Sequence, residues 1–299
     1  MAPTSIGFVG LGTMGLPMAT SLLEEGFRVV GHNRSREPVE ALVDRGGDGA
    51  TTAREVAERA GTVVTCLPDT ETVETVYLGE DGLLAGLEGG ETCIDTSTIS
   101  PTATEALAAE LAERDVALLD APVSGGEAGA KAGTLSIMVG GDADALSGQR
   151  PVLEAMGETI THCGPAGAGQ LTKACNQLVV ANTLEAISEA LVFAAKGGAD
   201  LEAVLEALGG GAAGSWLLEN RAPEMIRGEF EPGFRASYQH KDLRIATAAA
   251  DDLGAPLPIT ERTREQYETM EAEGLGGASN AGVIQLLERL ADVEARVDD

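Results

Sequence analysis

The sequence predicts an α/β chain in two parts. A doubly wound, mainly parallel sheet occupies residues 1–163, an all-α domain occupies 164–299, and one long helix at about 168–196 joins them. Three observations carry this expectation. Short β-branched runs alternate with amphipathic stretches through the first part, which is the pattern of βαβ crossovers. A glycine-rich turn separates the first run from the first helical stretch. After residue 163 the alternation stops, and helix formers take over.

In chain order, strands are predicted at 6–10, 28–31, 62–67, 91–95, 116–120, 135–139 and 159–162. Each is a short, mostly apolar run, as a sheet buried on both faces requires. Helices are predicted between them at 14–25, 37–45, 53–60, 72–78, 101–114 and 143–156. Ser100-Pro101 marks the clearest start, with a hydroxyl to cap the first turn and a proline where the missing N–H costs nothing. The stretch 168–196 holds apolar residues at helical spacing and stops at Gly197-Gly198. Further helices are expected at 201–208, 217–227, 241–253, 258–273 and 280–293, with loops at Gly209-Gly210-Gly211 and 230–234 and a solvated end at 292–299.

Charge and composition exclude several classes. The 299 residues carry 48 Asp and Glu against 20 Lys and Arg, a net charge of −28, so no basic face exists to hold nucleic acid. Hydrophobic residues make up 43%, too many for a disordered chain. Unbroken apolar runs fall well short of the ~18 residues a bilayer span needs, and no basic segment precedes an apolar one near the start. The expectation is a cytoplasmic protein with no membrane partner. Lysine occurs only at 131, 173, 196 and 241, with arginine supplying the other cations. So acidic and lysine-poor a chain suits concentrated salt that screens self-repulsion, and its melting temperature should then rise with KCl. Cys66, Cys93, Cys163 and Cys175 lack metal-site spacing, and Cys66 and Cys93 lie in apolar runs as small buried hydrophobes. His32, His162 and His240 share no spacing that suggests a metal centre; His240 could line a pocket but fits a surface position better.

Gly10-Leu11-Gly12-Thr13-Met14-Gly15 sits between the first strand and the first helix. Glycines there serve a tight turn, close approach of a pyrophosphate, and helix–strand packing. A dinucleotide that carries a free ribose 2′-hydroxyl calls for an acid about 20 residues further on. Here the chain reads His32-Asn33-Arg34-Ser35-Arg36. Arg34 suits a 2′-phosphate, so NADP is the expected cofactor and NAD the alternative; Arg34 could equally be a solvated loop charge.

Four ordered motifs resemble the β-hydroxyacid dehydrogenase family. Phe8 to Gly15 is similar to its N-terminal signature, Asp120-Ala121-Pro122-Val123-Ser124-Gly125-Gly126 to its substrate-binding segment, Gly164 to Asn176 to its catalytic-lysine segment, and Lys241-Asp242 to a paired motif in its helical domain. The resemblance implies a Rossmann domain, a helical domain that builds homodimers or homotetramers, and roles residue by residue. Lys173 would be the proton donor. Ser124, Gly125 and Gly126 would cradle a substrate carboxylate, with Asn176, Phe234 and Asp242 beside the substrate. Gly10, Leu11, Gly12, Thr13, Met14, Gly15, Asn33, Arg34, Ser35, Leu67, Pro68, Thr98 and Lys241 would contact the cofactor. One segment departs from the family pattern. After Gly274-Leu275-Gly276 the chain reads Gly277-Ala278-Ser279-Asn280-Ala281, without the usual acid and serine. Trp216, the only tryptophan, fits either a pocket wall or the core.

These residue types suit hydride chemistry. A carbonyl that accepts hydride also needs a proton and stabilisation of the developing alkoxide. Lys173 lies in an apolar helix, where a charged head is costly unless used, paired or snorkelled to water. Ser124-Gly125-Gly126 follows a strand, at the sheet edge where doubly wound folds bind ligands, though a plain turn has the same composition. The expected activity is an NADP-preferring oxidoreductase that interconverts a short β-hydroxy acid and its semialdehyde. Its wording is nearest the tartronate semialdehyde reductase branch, with the 3-hydroxyisobutyrate dehydrogenase and glyoxylate/succinic semialdehyde reductase branches as alternatives. Lys173 argues against imine reductases, which the resemblance gives Asp or Tyr there, and chain length argues against 6-phosphogluconate dehydrogenases. A dinucleotide-binding protein without catalysis is the alternative from another class, and a missing lysine would have signalled it.

Overall fold

The computed structural model describes residues 5–231 and 233–297. The chain divides into two compact units, one ending at Lys173 and one beginning at Ala174.

The described residues of the first unit form nine strands in one sheet, ordered β3-β2-β1-β4-β5-β6-β8-β7, with β9 paired to β8. They are β1 (Ser5–Val9), β2 (Arg28–His32), β3 (Asp48–Gly49), β4 (Thr62–Thr65), β5 (Thr92–Asp95), β6 (Ala117–Asp120), β7 (Val123–Ser124), β8 (Leu135–Gly140) and β9 (Gly157–Gly164). Pairing is parallel from β3 through β6, then antiparallel where β8 meets β6 and β7, and parallel again from β8 to β9. Strand order reverses direction at β1, between β2 and β4, which opens a crevice at the carboxyl ends of the strands.

Helices α1 (Gly15–Glu24), α2 (Glu37–Val43), α3 (Ala53–Glu58), α4 (Thr70–Leu78), α5 (Pro101–Ala112), α6 (Gly126–Ala132) and α7 (Ala143–Glu154) accompany this sheet. The period-2 alternation of β1 puts Ile6 and Phe8 into one core with Met18, Leu22 and Leu42, and Val9 into another with Val56, Tyr77 and Leu111. Both faces are therefore covered, which is why the strands read as continuous apolar runs. Ser100 caps α5 as its sequence predicts, accepting from the Ala103 N–H at 3.3 Å, and Asp69 caps α4, which begins two residues ahead of the expected start.

Helix α8 (Ala168–Lys196) follows, then α9 (Leu201–Gly209), α10 (Trp216–Asn220), α11 (Ala222–Arg227), α12 (Ala236–Leu253), α13 (Pro258–Ala272) and α14 (Ile284–Ala291). The second unit buries two apolar clusters, one around Leu184, Leu191, Met225 and Ile284, the other around Ala181, Leu243, Tyr267 and Met270.

The structure corrects several expectations. The helix predicted at 217–227 breaks at Arg221, because Pro223 cannot donate its N–H and crowds the preceding turn. Residues 280–293 divide into a 3-10 turn at Asn280–Val283 and α14. Helix α12 begins at Ala236 rather than 241, its buried Ala236, Gln239, His240 and Leu243 setting the face. Helix α6 and the short strands β3 and β7 are unanticipated. By length and composition α8 is also apolar enough to cross a membrane, with mean hydropathy 1.6 and 39% of that window buried. Unbroken runs miss this, since polar residues interrupt them. Of these, Asn182 pairs within the helical unit, donating to Thr260 on α13 at 3.0 Å and accepting from Thr263 at 2.8 Å. Residues 298–299 of the expected solvated end, and Pro232 of the 230–234 loop, lie outside the described residues.

Candidate active site

In the first unit the glycine loop is shaped by contact. Gly10 has φ +97°, and a Cβ there would lie 2.2 Å from the Cys66 carbonyl oxygen. A Cβ on Gly15 would lie 1.8 Å from the Gly10 oxygen, so only glycine lets α1 start against β1. A Cβ on Gly12 would meet no described atom within 4 Å. The second glycine thus faces open space at the start of α1, where backbone N–H groups and the helix dipole favour a phosphate.

Asn33 closes this loop from β2. Its Oδ1 accepts the Leu11 N–H at 3.1 Å, and its Nδ2 donates to Ser35 Oγ at 2.8 Å. Arg34 and Ser35 are exposed beside it, and Arg34 pairs with no carboxylate among the described residues, whereas Arg36 is taken by Glu40 at 2.9 Å. The cation expected to meet a 2′-phosphate thus forms no ion pair among the described residues.

The ends of β4, β5 and β6 carry a buried polar network. Asp95, at 1% exposure, accepts from Thr65 Oγ1 at 2.7 Å and Ser97 Oγ at 2.6 Å, and Ser97 Oγ in turn accepts the Leu67 N–H at 2.8 Å. That bond fixes the turn at Leu67 and Pro68. Thr98 lies one residue further, half-buried. Cys93, behind Asp95, is buried and its thiol is pushed up to about 12 by desolvation, while Cys66 is half-buried.

Asp120 ends β6 and is fully buried. Its two carboxyl oxygens accept the Gly167 and Gln170 N–H groups, both at 2.9 Å, and so cap α8. Burial pushes its pKa up to about 6 while those amides pull it down. Glycine at 140 and 169 allows this crossing, since a Cβ on Gly169 would lie 2.5 Å from the Asp120 and Met138 carbonyl oxygens. One turn along α8 from this cap is Lys173, buried at 5% exposure rather than snorkelled into solvent. Ser124 ends β7, Gly125 (φ +136°) caps α6, and Gly126 opens it, so the three residues form a strand-to-helix corner.

In the second unit the expected residues lie on one hydrogen-bonded string. Asn176 Nδ2 donates to Gln177 Oε1 at 2.8 Å, and Gln177 Nε2 donates to buried Asp242 Oδ2 at 2.7 Å. Lys241 pairs with Asp242 Oδ1 at 3.1 Å. Asn280 reaches the same string, donating from Nδ2 to Gln239 at 3.1 Å and from its N–H to the Phe234 carbonyl at 2.8 Å. The segment that departs from the family pattern thereby tethers Phe234.

Residues 5–164 match the family described as the NAD binding domain of 6-phosphogluconate dehydrogenase, and residues 167–287 the one described as NAD-binding of NADP-dependent 3-hydroxyisobutyrate dehydrogenase. The chain is 42% identical over 288 residues to the 2-hydroxy-3-oxopropionate reductase of Escherichia coli, covering 96% of this chain and 98% of that one. It belongs to the β-hydroxyacid dehydrogenase family. Another member, the NAD-dependent L-serine dehydrogenase of Pseudomonas aeruginosa, is 39% identical over 276 residues, which is 90% of this chain and 93% of its own. A structure of the 3-hydroxyisobutyrate dehydrogenase of Mycobacterium tuberculosis with L-serine superposes with TM-score 0.89 at 35% identity, covering 95% of this chain and 99% of that one.

Membership in this dehydrogenase family makes the chain an oxidoreductase with a nicotinamide dinucleotide cofactor. The loop of Gly10, Gly12 and Gly15 fits that group, since of the three only Gly12 has open space before it, at the helix start where a phosphate would be favoured. Gln170, Gln177 and Gln239 are the polar residues that sequence reading leaves out. Their signal is an amide side chain within an otherwise apolar helical pattern, which burial makes costly unless it is hydrogen-bonded. His240 is buried at 7% exposure, its Nδ1 2.9 Å from Glu271, and is not the surface histidine expected. Trp216 is 62% exposed and so is not core.

Proposed function

We propose that this member of the family is a reductase for a short semialdehyde that bears a carboxylate, with tartronate semialdehyde as the first candidate and NADP as the preferred cofactor. 3-Hydroxyisobutyrate dehydrogenase and glyoxylate/succinic semialdehyde reductase chemistry are the neighbouring alternatives, and oxidation of L-serine joins them through the named relatives. The observation that carries the reading is Lys173, a buried amine one turn beyond a helix cap built from the substrate motif's own Asp120.

When bound in the glycine loop of Gly10 to Gly15, a dihydronicotinamide dinucleotide would supply hydride for the carbonyl carbon. Lys173 gives its ammonium proton to the carbonyl oxygen as negative charge develops there, and takes it back in the reverse direction. Ser124, with the Gly125 and Gly126 N–H groups, holds the substrate carboxylate. Gly10 to Gly15, with Leu67, Pro68 and Thr98, hold the dinucleotide, and exposed Arg34 with Asn33 and Ser35 favours a 2′-phosphate. Within the helical unit, Asn176, Phe234, Lys241 and Asp242 carry the roles that the family resemblance implies. The family resemblance implies a homodimer or homotetramer, and the net charge of −28 supports a salt-rich cytoplasm as its setting.

The test is oxidation of NADPH and NADH in multimolar KCl with tartronate, methylmalonate and succinate semialdehydes and glyoxylate, run beside L-serine oxidation. Lys173→Ala is expected to lower kcat by roughly 10²–10⁴-fold while nucleotide affinity stays within about threefold. Full turnover in that variant removes the assigned role.

A further inference from the structure

We propose that Gln170 is a positioning residue that locks the loop carrying Thr98 to the turn of α8 carrying Lys173. The proposal rests on the reading of Lys173 as proton donor and adds a residue to which that reading gives no part.

Gln170 is 1% exposed, so neither end of its carboxamide can be left to water. Its Oε1 accepts the Ile99 N–H at 3.1 Å, and its Nε2 donates to the Ser97 carbonyl at 2.8 Å. These groups belong to the two peptide units that flank Thr98, so one side chain grips the backbone on both sides of that residue. The backbone of Gln170 is held at the same time, its N–H on Asp120 Oδ2 at 2.9 Å. Ser97 is itself fixed by Asp95 and in turn fixes Leu67. Through Gln170 the ends of β4, β5 and β6 therefore converge on the first turn of α8.

Lys173 follows three residues later on the same helix face, a rise of about 4.5 Å. Where the amine can reach is set by where that turn sits, and the turn is set by Gln170 and Asp120. The residue type is demanding. Asparagine is one methylene short, methionine fills the volume with no donor and only a weak thioether acceptor, and ionised glutamate keeps the acceptor for Ile99 but has no donor for Ser97. Protonated glutamate restores both, since its O–H replaces the Nε2 donor.

The experiment compares Gln170→Met, Gln170→Glu and Lys173→Ala, with Val152→Ala as a core truncation elsewhere in the same unit. Five quantities are read: kcat, nucleotide Kd, the pH profile, hydrogen exchange at the Ile99 amide, and the rate at which acetic anhydride acylates Lys173, followed by mass spectrometry. Gln170→Met is expected to lower kcat about 10–100-fold with Kd within about threefold, as slight misplacement of a reacting group does. It should also speed Ile99 exchange and Lys173 acylation about tenfold or more, the scale of one lost hydrogen bond. Gln170→Glu should regain turnover as pH falls. Unchanged Lys173 acylation in Gln170→Met, or a kcat no lower than that of Val152→Ala at matched melting temperature, overturns the proposal. Turnover that survives Lys173→Ala overturns the proton-donor reading instead, and exchange and acylation then still decide whether Gln170 holds the turn.

Discussion

Gly12→Ala and Gly15→Ala should separate two tasks performed by one loop. A methyl on Gly15 would sit 1.8 Å from the Gly10 oxygen and 3.1 Å from Phe8 Cε1. Ordinary non-bonded contact is about 3.5 Å, so the first turn of α1 must back away by roughly 1.5 Å. That turn belongs to a helix whose Met18 and Leu22 are fully buried against the sheet, and forced repacking of this kind costs about 1–3 kcal/mol. The melting temperature should drop by roughly 3–10 °C. A methyl on Gly12 meets no described atom within 4 Å and no left-handed backbone, so stability should hold within about 0.5 kcal/mol. It would nonetheless project into the space left for the phosphates, where one misplaced methyl is expected to weaken the nucleotide by about 10–100-fold, or about 1.4–2.8 kcal/mol. Calorimetric melting and titration with NADPH and NADH read both quantities. A Gly12→Ala protein that melts as low as Gly15→Ala, or that binds dinucleotide as tightly as the parent, would refute this division of tasks.

Arg34→Ala should weaken NADPH by about 10–100-fold, the scale of a lost charge-assisted contact, and leave NADH within about threefold; equal losses would mean that Arg34 only faces solvent. Glu185 on α8 has a buried Oε2 without a hydrogen-bond partner among the described residues, and burial, with Glu189 nearby, pushes its pKa up to about 7. Because the folded form holds its proton more tightly than the unfolded chain, its contribution to stability falls as pH rises from about 4.5 to 7. Glu185→Gln should therefore gain roughly 1–2 kcal/mol at pH 8 and nearly nothing at acid pH, half the value that the shift alone gives, because the side chain is partly exposed. Parallel urea titrations at pH 5 and 8 that show the same difference for both proteins would refute this. Melting curves from dilute buffer to molar KCl should climb steadily if the net charge of −28 is tuned to salt, and a flat response would remove that idea.

Features set by local chemistry were legible in the sequence. The runs of β1, β2, β4 and β5 stand out because burial on both faces makes them continuously apolar, and Ser100-Pro101 announces α5 because a cap is a three-residue event. Helix α6 escapes because Gly126-Glu127-Ala128-Gly129 has loop composition, and β3 and β7 are two residues long, below any periodicity. The glycine loop could be read because each glycine answers to neighbours within the loop or next to it. Gln170 and Gln177 could not, because their partners lie 71 and 65 residues away and nothing along the chain marks them. Burial of a polar group shows its cost only once the tertiary structure says which groups share the dark side of a helix.

Trp216 gives the molecule an optical property of its own. As the only indole, 62% exposed with the Arg221 guanidinium 5.7 Å over its ring, it makes fluorescence excited near 295 nm a signal from one place in the helical unit. Emission should be red-shifted and readily quenched by acrylamide, and any blue shift upon adding a ligand or raising protein concentration would map to the start of α10 without labelling.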